Sequence, residues 1–145
     1  MREITAAGVQ KLAPCLQALA AHHNAVSTHF KGDYPSRPIE ETLRHFAQAL
    51  RGQSARIASI EAEHRIAGFC KIDLCGADGK LDYLVVLPEA RGKGYGGQLM
   101  DWAMQAFESG GVHRIAVKVV DGNAAIHLYE KYGFQINAHI LVKKC

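Results

Sequence analysis

The chain has 145 residues, 48% of them apolar and 21% charged, with a formal net charge of +3. That size and balance suit one folded domain, residues 1–145, and exclude a disordered chain. No dense Lys/Arg run points to nucleic acid, and no apolar run reaches the length of a membrane span. Cys15, Cys70, Cys75 and Cys145 lack the spacing of metal ligands, and the first residues, MREITAAG, lack the pattern of a signal peptide. The expectation is a cytoplasmic protein with reduced thiols, no metal, and neither a nucleic acid nor a membrane as partner.

In chain order, residues 2–5 read as a short strand. Val9, Leu12, Leu16, Leu19 and Ala20 then recur at helical spacing. Pro14 lies inside that pattern, so a helix starts or kinks there. Residues 31–38 are loop by composition. A second helix carries Leu43, Phe46, Ala47 and Leu50 on one face; Ser36 could cap it, or Pro38 or Glu40 could mark its first turn. From residue 55 the period changes to two. Strands at 55–62, 65–75 and 80–87, with a hairpin turn at 76–79, form an antiparallel meander. The third is apolar on both faces beyond Asp82 and should be central.

Leu99, Trp102, Ala103, Ala106 and Phe107 mark a helix ended by Gly110 and Gly111. A strand at 113–120 and a helix at 121–132, stopped by Gly133, follow. Residues 134–144 read as a last strand. The strand–helix–strand crossover makes 80–87 and 113–120 parallel neighbours, so the sheet is mixed.

Between the central strand and the following helix lies Arg91-Gly-Lys-Gly-Tyr-Gly-Gly97. Glycines let backbone N–H groups approach a ligand, a helix N-terminus favours an anion, and Arg91 and Lys93 add full charges. A plain surface turn explains less of this than a phosphate site does. Gly92, Gly94 and Gly97 also satisfy G-x-G-x-x-G, with Asp121 downstream. In that dinucleotide fingerprint, however, the first glycine closes the strand, whereas residues 88–91 intervene here. A phosphate-binding P-loop needs Gly-Lys followed by Ser or Thr, which is missing.

V-L-P-E-A-R-G-K-G-Y-G at 86–96 resembles the acyl-coenzyme A motif of the GNAT superfamily of N-acetyltransferases, with Arg91, Gly94 and Gly96 in its key places. Asn123, followed by A-A-I-H-L-Y-E-K-Y-G-F up to Phe134, resembles the second family motif. The likeness covers about residues 55–134. It implies an α/β (α+β) fold: a GNAT-like mixed sheet, an antiparallel meander plus a parallel pair splayed at the cofactor site, flanked by helices. Residues 53–145 would be the acyl-CoA-binding core, and 1–52 acceptor-side helices.

The resemblance also implies a reaction, acetyl transfer from acetyl-CoA to the amine of a small molecule or peptide. Backbone N–H groups at Gly92, Lys93, Gly94, Tyr95, Gly96 and Gly97 would hold the pyrophosphate. The pantetheine arm would lie along Leu84, Val85 and Val86, where a backbone N–H can stabilise the oxyanion. Tyr129 would protonate the leaving thiolate, although its helical spacing equally suits packing. Asn123 would contact the cofactor, cap its helix, or do both. For the base, Asp82, Asp73, His113 and a water chain all stand open, and Lys118 occupies a place where several family members carry a carboxylate. His22, His23 and His29 read as a partly exposed helix face, with Tyr34 and Arg37 near the acceptor mouth. The alternative function is a non-catalytic acyl-CoA sensor, and the resemblance is compatible with a homodimer built on the C-terminal strand.

Overall fold

The computed structural model describes all 145 residues. A five-stranded sheet has the order β1-β2-β3-β4-β5. Its strands are β1 (Arg2–Glu3), β2 (Ala55–Ala62), β3 (Arg65–Cys75), β4 (Asp78–Val86) and β5 (Arg114–Val117). Every pair is antiparallel except β4 with β5. The mixed sheet expected from the crossover is therefore present, and the meander begins and ends within two residues of the expected limits.

Two layers of helices cover the sheet. On one face lie a 3₁₀ segment (Ala6–Leu12), α1 (Ala13–Val26) and α2 (Ile39–Arg51); on the other lie α3 (Tyr95–Ser109) and α4 (Ala125–Lys131). Pro14 lies in the first turn of α1 rather than kinking it, as suits a residue with no N–H to donate. Pro38, not Ser36, is the N-cap of α2, whose Glu40 and Glu41 suit the positive end of the helix. Leu43 and Phe46 of α2 pack with Leu12, Leu16, Ile57, Phe69 and Val85 in one cluster. Leu99, Met100, Ala103 and Phe107 of α3 pack with Cys70, Ile72 and Leu81 in the other. β3 thus feeds both layers, which is why its apolar run is nearly unbroken.

The crossover strand is shorter than expected, four residues instead of eight. The strand expected at 134–144 does not form. A strand exists only when a neighbour accepts its backbone groups, and β5, the edge nearest in sequence, is too short to serve. Instead Lys144 Nζ reaches Asp33 Oδ1 at 2.7 Å, and Ile136, Ile140, Leu141 and Val142 stay exposed.

Candidate active site

β4 and β5 pair only from Asp78↔Arg114 to Leu81↔Val117. On its other side β4 stays paired with β3 as far as Gly68↔Val86. From Asp82 onward, then, one edge of β4 is open. This is the splay that the resemblance implies, and it sets which backbone groups are free.

The register of β4 breaks at the same place. Lys71 pairs with Tyr83 and Ile72 with Leu81, which leaves Asp82 as an extra residue, a β-bulge. One extra residue inverts the alternation of everything beyond it. The N–H of Leu87 donates to Ala67 O at 2.8 Å, so Leu87 faces β3. Counting back by twos, Val85 and Tyr83 also present their N–H groups to β3, while Leu84 and Val86 present theirs to the open edge. Without the bulge the two sets would be exchanged. Leu84 and Val86 are partly buried, whereas Val85 is fully buried against α1 and α2.

At the end of this edge the chain makes a 3₁₀ turn (Pro88–Ala90) and enters the glycine turn. Gly92 and Gly94 have φ of +79° and +83°, the left-handed region that side chains with a Cβ rarely adopt, and a Cβ at either would meet open space. Gly94 is the N-cap of α3 and accepts the Gln98 N–H at 3.1 Å. The N–H groups of residues 92–97 find no acceptor in the protein. Six consecutive free donors at the positive end of a fifteen-residue helix are an arrangement that can cradle an anion. Arg91 is exposed and lies back toward the strand, its Nε donating to Val86 O at 3.4 Å; Lys93 is exposed as well.

Helix α4 is fastened to this cradle. Tyr132 Oη donates to Asp101 Oδ1 at 2.7 Å and lies 3.3 Å from Gly97 O, the bond to Asp101 pushing its phenol pKa up. Tyr129, one turn earlier, packs in the same cluster as Leu84 and Val86 and edge-on to Phe134 at 6.0 Å. Burial, with a smaller contribution from Cys70, pushes its phenol up to about 12. Its hydroxyl makes no protein hydrogen bond, yet it is not sealed from solvent. Asn123, just before the N-cap Ala124, accepts the Ala125 N–H on its Oδ1 at 3.0 Å, and the same oxygen lies 3.3 Å from His22 Nε2 of α1. That second contact ties together residues 101 apart in sequence, and no local signal announces it.

Asp82 lies on the other face of the sheet. Its Oδ2 accepts from Lys71 Nζ at 2.6 Å, its Oδ1 is 3.3 Å from Lys80 Nζ, and its side chain is only 18% exposed. Lys71 is itself buried, with a second carboxylate, Asp73, at 2.5 Å and the Phe46 ring at 5.2 Å. Asp82 is therefore not a solvent-facing charge at a hairpin end. Tyr83 stands beside this group; burial first, then Asp82 and Asp73, raise its pKa, and Arg37 opposes them. His113 and Lys118 are exposed and apart from this group. Arg37 also contacts His45 Nδ1 at 2.5 Å, and Tyr34 packs edge-on against His23 at 5.1 Å.

The structure thus brings Leu84, Val86, Tyr95 and Tyr129 into one cluster beside the glycine turn, sets Asn123 at the start of α4 against His22, and places Asp82 across the sheet. A separate cavity of about 530 Å³ lies at the far edge, lined by Glu3, Ile4, Leu50 and Arg56 among others. Arg56 there is already bidentate on Glu3 at 2.8 and 2.9 Å, so the open cleft is the better candidate. Sequence patterns missed the bulge and Lys71. Their available signal was a lysine amid an apolar strand with aspartates within reach on two strands.

Known proteins share this fold. The Acetyltransferase (GNAT) family matches residues 20–134. A putative [ribosomal protein bS18]-alanine N-acetyltransferase of Bacillus subtilis (strain 168) is 28% identical over 91 residues, which are 62% of this chain and 60% of that protein's length. The fold matches the ribosomal-protein-alanine N-acetyltransferase of Brucella melitensis biovar Abortus 2308 (TM-score 0.69, 16% identity, 99% of this chain and 98% of that one). It also matches the PaiA N-acetyltransferase of Thermoplasma acidophilum, solved in complex with coenzyme A (TM-score 0.74, 17% identity, 94% and 92%). The chain belongs to the GNAT family of acetyltransferases.

Proposed function

We propose that the protein is an N-acetyltransferase that moves an acetyl group from acetyl-CoA directly to a primary amine. One observation carries this reading: the open edge of β4 at Leu84 and Val86 runs straight into the six free N–H groups of residues 92–97. A linear cofactor with an amide-bearing arm and a pyrophosphate needs that combination. The arm would add to the edge as a strand does, and the pyrophosphate would sit in the cradle with Arg91 and Lys93 beside it. An N–H at Val85 or Val86 would polarise the thioester carbonyl; the alternation of donors along β4 favours Val86.

In this reaction the amine nitrogen bonds to the acetyl carbon, the carbon–sulfur bond breaks, and the thiolate takes a proton. Tyr129 gives that proton from its free hydroxyl on the α4 side of the slot. With a pKa of about 12 the phenol is protonated at any physiological pH, as an acid must be. Asp82, on the α2 side, takes the proton of the attacking amine at Oδ1 once the half-exposed Lys80 swings out. Asn123 keeps its Nδ2 for the cofactor, since its Oδ1 is engaged by Ala125 and His22. The acceptor enters on the side of α1 and α2, past Tyr34 and Arg37.

The acceptor is a small-molecule or peptide amine. The relatives' names make a peptide with N-terminal alanine the first one to try. No helix is long and apolar enough to cross a membrane, and the free thiols of all four cysteines fit a reducing cytoplasm. A homodimer would cover the exposed Ile136, Ile140, Leu141 and Val142, and sedimentation over a concentration series tests it. One observation favours a second reading, an acyl-CoA sensor: both oxygens of Asp82 are engaged by lysines.

The test is a thermal shift with acetyl-CoA, NADH and ATP side by side, since a ligand of the native state raises its stability. Stabilisation by acetyl-CoA is expected, and stabilisation by NADH alone would refute the assignment. Thiol release over a panel of amines then separates enzyme from sensor.

A further inference from the structure

Helix α4 has only seven residues, and a helix of that length does not hold together or keep its place alone. The loop before it is tied down: the Thr28 N–H donates to Asp121 O at 3.1 Å, and Asn123 meets His22. Between residues 124 and 134, Tyr132 alone hydrogen-bonds a neighbouring element, its Oη donating to Asp101 Oδ1 of α3 at 2.7 Å and lying 3.3 Å from Gly97 O. Leu128 rests at the same place, for a Cβ on Gly96 would stand 3.9 Å from its Cδ2. The apolar packing of Leu128 and Tyr129 keeps α4 against its cluster, but such packing is non-directional and does not oppose sliding along α3. A hydrogen bond, which fixes distance and angle, does. Tyr132 is also joined to Tyr129 through the main chain: the Tyr132 and Phe134 N–H groups both donate to Tyr129 O, at 3.0 and 3.2 Å.

We infer that Tyr132 is a positioning residue: bonded to Asp101 beside Gly97, it sets how far α4 stands from the glycine turn and thereby where the Tyr129 hydroxyl lies along the slot. A cofactor held by its pyrophosphate at 92–97 presents its sulfur a set distance away, so an acid at the far end must keep that spacing. The hydroxyl of Tyr132 is itself committed to Asp101, so this residue acts through Tyr129. The consequence for catalysis rests on the acetyl-CoA reading above, with Tyr129 as the acid; the fastening of α4 does not.

The experiment measures amide exchange at 129–134 in the ligand-free protein, and thiol release from acetyl-CoA with the amine of the panel that turns over fastest, for Tyr132→Phe, Asp101→Ala and Asp101→Asn. Tyr132→Phe keeps the ring and should speed that exchange about fivefold, as the loss of one hydrogen bond does. Its kcat should fall about tenfold, with KM for acetyl-CoA nearly constant. Asp101→Ala, at an exposed position, should do the same and carries the test if Tyr132→Phe does not fold. Asp101→Asn keeps an oxygen for the hydroxyl and should retain native exchange and native kcat. In a Tyr129→Phe background, Tyr132→Phe should lower kcat no further, whereas a residue that does not act through Tyr129 would lower it by the same factor in both backgrounds. Native exchange in both Tyr132→Phe and Asp101→Ala overturns the proposal. So does a full tenfold fall in the Tyr129→Phe background, or an unchanged kcat in both variants where Tyr129→Phe alone lowers it. Faster exchange in a protein whose kcat ignores Tyr129→Phe leaves the fastening standing and removes only the acid reading.

Discussion

The two sides of the cleft are built from different materials. The side proposed for the donor uses the main chain: an open strand edge, two left-handed glycines and the start of a helix. The side proposed for the acceptor uses side chains, with His22 on Asn123 and Lys144 on Asp33 joining distant parts of the chain and Arg37 on His45 joining nearer ones. A backbone site tolerates change in the side chains around it but not in the path of the chain. A side-chain site has the opposite sensitivity, and can change its ligand while the fold stays as it is.

The strongest way to break this contrast is at the seam between the two sides. Gly122 has φ +97°, and a Cβ there would meet Val26 O, at the end of α1, at 2.1 Å. That carbonyl is main chain and cannot turn aside. Overpacking and a left-handed Cβ together should cost about 3 kcal/mol in Gly122→Ala, seen as a lower midpoint in chemical denaturation. A loss below about 1 kcal/mol would mean that the two sides are packed more loosely than they look.

Tyr129 tests a donor-side claim that depends on a side chain. Tyr129→Phe keeps the ring and removes a hydroxyl with no protein partner, so stability should hardly change. If the hydroxyl is the acid, kcat should fall roughly 100-fold with KM for acetyl-CoA nearly constant. Because burial pushes this phenol up to about 12, the wild-type rate should show no alkaline descent due to it below that pH. An unchanged kcat across the pH range would reduce Tyr129 to packing.

A smaller effect is expected at Gly94. A Cβ there meets nothing in the free protein, so Gly94→Ala incurs only the left-handed strain, about 1 kcal/mol of stability. If the surrounding N–H groups hold the pyrophosphate of acetyl-CoA, a Cβ in this turn would crowd it, so KM for acetyl-CoA should rise about tenfold with kcat little changed. Gly122 and Gly94 thus separate the two uses of a positive φ: one fits the chain against its own backbone, the other leaves room for a ligand.

The same division explains what could be read from the chain. β2 and β3 lie where their alternation and turn residues place them, and the glycine turn opens α3, because local pattern and local structure agree there. The bulge was hidden because Leu84, Val85 and Val86 are all apolar, and a run without alternation carries no phase. Lys71 is internal because Asp73 on its own strand and Asp82 on the next one both reach its ammonium. The tail 134–144 has the composition of a strand, but composition cannot supply a neighbour. The contact between His22 and Asn123 joins residues whose nearness exists only once the sheet has formed.

The acceptor side also has its own pH response, the smallest effect expected. Burial, with help from the neighbouring His22, holds the pKa of His23 below its ordinary value. The unfolded chain therefore takes up a proton there before the folded protein does. Stability is fully present above about pH 6.5, the ordinary histidine value, and is lost as pH falls through the lower folded value. His23 packs edge-on against Tyr34, and the neighbouring Asn24 holds the loop by accepting from the Gly32 and Tyr34 N–H groups and donating to Tyr34 O. Mild acid should therefore loosen residues 28–37 first, raising KM for the amine while KM for acetyl-CoA stays constant. His23→Gln should flatten this dependence between about pH 5 and 7, measured by denaturation midpoints alongside both KM values. If both KM values rise together in acid, the two sides are coupled through His22 and Asn123, and the line between them is less sharp than their construction suggests.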